Sequence, residues 1–163
     1  MRGDLEKPML SILTAIVLAF VQTPTPDPLF VQLAGRWAGE GTVLNLPSKV
    51  ELTWEWTLDG QFLRLTFVNQ MGSGRRFEGH AYYGATGDGR YRGTWFDNSG
   101  MIRPIEARRD DMAIVATWGT PATEVGETTY RLMPDGSMEI SDRVQTKDGS
   151  WRNFGHMRVT RAQ

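Results

Sequence analysis

The sequence predicts an all-β domain: an up-and-down antiparallel barrel of about ten strands, preceded by a short helix. Three observations carry this reading. From Lys49 to Leu58 the chain alternates strictly, with Val50, Leu52, Trp54, Trp56 and Leu58 on one face and Lys49, Glu51, Thr53, Glu55 and Thr57 on the other. That is the period of a strand with one dry face and one wet face. Asp-Gly pairs recur at Asp59-Gly60, Asp88-Gly89, Asp135-Gly136 and Asp148-Gly149, and such pairs suit tight hairpins because both residues tolerate positive φ. Beyond Gly35 no helical period interrupts the alternation.

The elements follow in order. Met9 to Val21 is an uncharged apolar run of 13 residues, shorter than the roughly 20 needed to span a bilayer but suited to the apolar region of a signal peptide. Residues 1–21 are therefore expected to direct export to the periplasm or the medium. Against this, Asp4 and Glu6 stand beside Arg2 and Lys7, and no Ala-x-Ala site follows. Residues 22–28 hold three prolines and read as an extended linker. The barrel domain is then 29–163, with no membrane span in the mature chain. Leu29 to Leu33 forms a short helix ended by Gly35. Strands are expected near 36–46, 49–58, 61–69, 76–84, 90–97, 101–108, 112–118, 127–133, 137–145 and 150–161. A meander this long must close on itself to protect its edges.

Alternation also assigns an interior. With no bulges, all six tryptophans (Trp37, Trp54, Trp56, Trp95, Trp118 and Trp151) fall on the apolar faces, together with Tyr83, Tyr91 and Tyr130. Burying each large side chain gains on the order of 1.5–3 kcal/mol, so the faces are strongly specified. Eight strands leave room for side chains or one small ligand, and ten leave more, so a cavity is expected. The alternative is a flattened barrel filled by its own aromatics.

Composition narrows the function. Formal net charge is −1, with no run of like charge longer than Arg75-Arg76 or Arg108-Arg109, which argues against nucleic acid as a partner. Cysteine is absent, so there are no disulfides, thiolate metal sites or cysteine nucleophiles. No nucleophile–base set or metal-ligand spacing stands out. The two histidines, His80 and His156, are far apart in the chain. The Gly-rich segment Gly84 to Gly89 joins two strands rather than opening a helix, so it reads as a hairpin and not a phosphate loop.

Gly35-Arg36-Trp37, at the start of the first strand, resembles the Gly-x-Trp motif of the lipocalin and fatty-acid-binding-protein (calycin) superfamily. In that superfamily a basic residue of the last strand packs over the tryptophan, and the resemblance implies this role for Arg161. Gly35 to Gly41 (GRWAGEG), Leu58 to Phe67 (LDGQFLRLTF) and Tyr91 to Asp97 (YRGTWFD) together resemble an uncharacterised bacterial family of lipocalin-like barrels over roughly 31–161. That resemblance implies a fold and no agreed activity. The nitrobindin-like barrels share the GxWxGxG opening and bind haem through a histidine of a late strand. His156 is the matching candidate, but alternation places it with Arg152, Arg158 and Thr160, on the outer face. His80 falls outward with Glu78.

Two charged residues fall among apolar neighbours: Arg103 between Met101 and Ile105, and Asp142 between Ile140 and Val144. An unpaired charge in a dry interior is costly, so each needs a partner, water or a ligand. The leading expectation is a barrel that binds a small hydrophobic or amphipathic molecule without a resident cofactor. Trp54, Trp56, Trp95, Tyr83 and Tyr130 would line it, Arg103 would receive an anionic head group, and Asp142 would lie nearby as counter-charge. An Arg103–Asp142 salt bridge is the purely structural alternative. The other readings are a haem protein using His156, an enzyme using Asp142 or a tyrosine as acid or base, and a structural or partner-binding role.

Overall fold

A computed structural model of the chain describes residues 27–87 and 89–163. The expected signal peptide and most of the linker (1–26) and Asp88 of one expected turn lie outside the described residues. A short helix, α1 (Pro28–Leu33), precedes ten strands: β1 (Gly35–Val43), β2 (Leu46–Thr57), β3 (Phe62–Met71), β4 (Arg76–Gly87), β5 (Arg90–Asp97), β6 (Ile102–Asp110), β7 (Ala113–Thr120), β8 (Glu124–Leu132), β9 (Met138–Gln145) and β10 (Trp151–Arg161). Each strand pairs antiparallel with its successor, and β10 closes on β1 from Trp37–Arg161 to Val43–Gly155. Among the described residues, closure leaves no edge strand to pair with other chains. Among the described residues no helix is long and apolar enough to cross a membrane.

The two ends of the barrel differ. Helix α1 plugs one end: Leu29, Phe30 and Leu33 are buried, and the Phe30 ring meets Trp54, Trp56, Tyr83 and Tyr91. Asp27 holds the plug in place. Its carboxylate caps the helix at the Leu29 N–H (2.8 Å), accepts the Tyr91 hydroxyl (2.6 Å) and pairs with Arg109 (3.2 Å). Asp27 and Pro28, within the stretch expected as linker, thus form the cap and first residue of α1; proline fits the first helical turn because its missing N–H has no partner there. Arg161 lies over the Trp37 ring, 4.2 Å from its centroid, and donates to the carbonyls of Ala34 and Gln32 at the end of α1. The Trp37 indole donates to the Leu33 carbonyl at 2.8 Å. Gly35, at φ +125, leaves the space the guanidinium fills.

Three strand boundaries and two side-chain directions depart from the alternation. A two-residue hairpin at Leu44-Asn45, with φ of 52 and 63, separates β1 from β2 earlier than expected. Nothing near it reads as Asn-Gly, and Leu44 pays the cost of left-handed backbone there. β4 runs on to Gly87 and β8 starts at Glu124. Between Asn153 and Gly155 the pairing of β10 with β9 shifts register. A bulge turns over every side chain on one side of it. Trp151 therefore points outward, 39% exposed, beneath the Arg143 guanidinium at 4.6 Å, and Arg152 faces the lumen. The other five tryptophans are buried or half-buried on the inner face.

Candidate functional site

Opposite the plug, the barrel encloses a cavity of about 340 Å³, within the range of small-molecule sites. Its mouth is rimmed by Leu44, Arg75, Ser99, Glu124, Arg152 and Phe154. One wall is aromatic: Phe77 stacks on Trp95 at 6.1 Å and 15°, and Phe67 meets both. Two glycines shape the walls. A Cβ on Gly79 would overlap the Trp95 indole, and one on Gly126 would overlap that of Trp118. Each tryptophan therefore lies against the neighbouring strand instead of filling the middle.

Of the residues the sequence singled out, Arg103, Asp142, Tyr83, Trp95 and Tyr130 line this cavity. Trp54 and Trp56 do not. They sit below it in the closed end, Trp54 edge-on to Tyr130 at 5.1 Å and Trp56 edge-on to Phe30 at 6.4 Å. The salt bridge between Arg103 and Asp142, the structural alternative, does not form. Arg103 pairs with Asp97 at 3.3 Å and Glu124 at 3.4 Å, with its guanidinium 5.3 Å from the Trp118 ring centroid.

Asp97 is the anchor of that cluster and had no distinguishing signal in alternation. Its side chain is 1% exposed and accepts from the Ser99 N–H at 2.9 Å, the Trp95 indole at 3.0 Å and the Ser99 hydroxyl. Burial works against its charge, but these bonds and the Met101 N–H outweigh it, holding the carboxyl below its usual range. Arg75 and Arg152 also line the mouth, and among the described residues neither forms an ion pair. The bulge hid Arg152 from the sequence.

Deeper in, Asp142 is linked to the wall by a short relay. The Trp118 indole donates to Thr128 Oγ1 at 3.1 Å, and the Thr128 hydroxyl donates to Asp142 Oδ1 at 2.6 Å. The carboxyl lies across Gly155, whose missing Cβ gives it room. It opens to the lumen but is shielded from bulk solvent. Desolvation therefore pushes its pKa up to about 6, partly offset by the Thr128 hydroxyl. Tyr83 and Tyr130 face each other at the floor, and burial raises both phenols well above their usual range. Asn69, 1% exposed, also lines the cavity, and its Oδ1 has no partner among the described residues.

Both histidines lie outside. The His156 imidazole is exposed, 3.5 Å from the Ser141 hydroxyl, and His80 contacts Glu78 at 3.2 Å and Thr66 at 3.3 Å. The cavity thus has no histidine to ligate haem iron, and His156 does not reach it. Among the described residues no cluster of three His, Asp or Glu is placed to hold a metal ion.

Comparison with family models and with curated protein sequences finds no match. Among solved structures, the chain is similar to Rv2717c from M. tuberculosis, with a TM-score of 0.65 and 14% identity over 84% of this chain and 99% of that one. At this identity the similarity establishes the barrel fold and no activity.

Proposed function

We propose that the barrel binds one small amphipathic molecule, with its ring system against the aromatic wall and an anionic group at the mouth. The observation that carries this reading is the cavity itself: closed by α1 at one end, open at the other, flanked by indoles held against glycines and rimmed by two guanidiniums without acid partners among the described residues. A guanidinium with no carboxylate to satisfy it offers bidentate donors to an incoming anion. Arg103 supports the rim but is committed to Asp97 and Glu124, so Arg75 and Arg152 take the head-group role expected of it. The calycin-like resemblance of the first strand and the apolar leader fit an exported carrier, which is the setting we assign.

Isothermal titration calorimetry with naphthalene-2-sulfonate tests this reading. Saturable 1:1 binding is expected, weakened about 5–10-fold in Arg152→Ala, in line with the loss of one charge-assisted contact. Absence of saturable binding to the parent protein by this anion and by octanoate would remove the proposal.

A further inference from the structure

The cavity has a polarity along its axis that the amphipathic reading does not use. Arg75 and Arg152 stand at the mouth, whereas Asp142 stands further in. On the β9–β10 ladder Arg152 pairs with Val144 toward the open end, and Asp142 pairs with Gly155 one step deeper. Asp142 is a carboxyl without a cation: among the described residues it joins no ion pair, because Arg103 is held by Asp97 and Glu124. Its Oδ1 is fixed by the Thr128 hydroxyl, leaving Oδ2, which lies over Gly155, without a hydrogen-bond donor among the described residues on a side chain that lines the cavity. Neither neighbouring phenol is positioned by a hydrogen bond to that oxygen.

A molecule that fills the cavity displaces the water that would otherwise solvate Oδ2. If the arriving group is apolar, the carboxyl is left desolvated and unpaired. If it carries an N–H or O–H, the lost hydrogen bond is replaced and strengthened by charge. The indole of Trp95, lying over Gly79, offers a surface on which a flat ring gains by stacking.

We infer that this site takes a flat aromatic molecule with a hydrogen-bond donor on the end that enters first (an aromatic amine, a phenol or an N–H heterocycle) and an anionic group at the other end. Asp142 receives the donor, the Trp95–Phe77 wall receives the ring, and Arg75 with Arg152 receives the anion. The inference rests on the cavity binding proposed above. It departs from a fatty-acid-type ligand, whose inner end has no donor.

Three probes of nearly equal shape separate the two claims: 6-aminonaphthalene-2-sulfonate, 6-hydroxynaphthalene-2-sulfonate and 6-methylnaphthalene-2-sulfonate, each titrated calorimetrically into the full chain. The amino and hydroxy compounds are expected to bind about tenfold more tightly than the methyl compound, equivalent to roughly 1.4 kcal/mol. In Asp142→Asn that preference is expected to shrink below about threefold. With Oδ1 still taking the Thr128 hydroxyl, the remaining amide position presents N–H groups to the ligand's own donor. Equal binding of all three probes to the parent protein overturns the inference and leaves the cavity reading standing. A preference that survives in Asp142→Asn also overturns it, since another residue then reads the donor. Binding of none overturns both. The comparison within the parent protein needs no variant to fold.

Discussion

Asp142 illustrates how one buried group sets a pH dependence. Its carboxyl ionises near pH 6 in the folded chain and near 3.9 when unfolded. Between those values the native state holds a proton that the unfolded state has released. The stabilising contribution is therefore complete below about pH 4 and is lost as pH rises through about 6. Two pKa units correspond to at most about 3 kcal/mol, and water in the lumen lowers that figure. Asp142→Asn is accordingly expected to gain about 1–2 kcal/mol over the parent at pH 7.5 and less than half of that at pH 4.5, as read from urea denaturation at both pH values. A constant difference between the two proteins would contradict the assignment. Asp97 shows the opposite case, a carboxyl whose hydrogen bonds keep it charged despite burial. Alternation placed both Arg103 and Asp142 inside. It had no means of choosing their partners, because the contact between β5, β6 and the start of β8 that brings Asp97 and Glu124 to Arg103 is absent from any local pattern.

At the scale of elements, α1 is too short to be stable by itself, since helices under about 12 residues are marginal in water. Its formation depends on the contacts that seat it: Phe30 among four aromatic rings, Arg161 on its terminal carbonyls and Asp27 at its start. Replacing Asp27 by Ala removes the cap, the Tyr91 bond and the Arg109 pair together. A loss of about 1–3 kcal/mol is expected, with faster amide exchange confined to α1 and the adjoining strand ends. Uniform exchange throughout the barrel would show that the latch does not act locally. The helix itself was legible from its short apolar run. Its cap was not, because Asp27 sits in a proline-rich stretch that reads as linker. The hairpins with Asp-Gly were legible for the same reason that they form. The Leu44-Asn45 turn escaped because its residues are not those that left-handed backbone favours.

For the molecule as a whole, ring closure converts ten local alternations into one interior, and the plug decides which end of it is open. Truncating Phe30 to Ala should leave a void beneath the cavity, costing about 3–5 kcal/mol. It should also lower the affinity for naphthalene-2-sulfonate by letting the ring sink away from the arginines. A thermal melt and one calorimetric titration check both effects, and an unchanged melting temperature would mean that α1 is not part of the cooperative unit.

Taken alone, the sequence determined the all-β class, the count of about ten strands, the short leading helix and the inward direction of most aromatics. Each of these rests on a period of two or on a turn within a few residues. Only the tertiary structure decided that Trp54 and Trp56 lie below the cavity, that Trp151 faces solvent, that Arg152 faces the lumen and that Asp142 is left without a cation among the described residues. The reason is physical: alternation tells a side chain which face it takes, whereas bulges, register and the closure of β10 on β1 decide what it meets there.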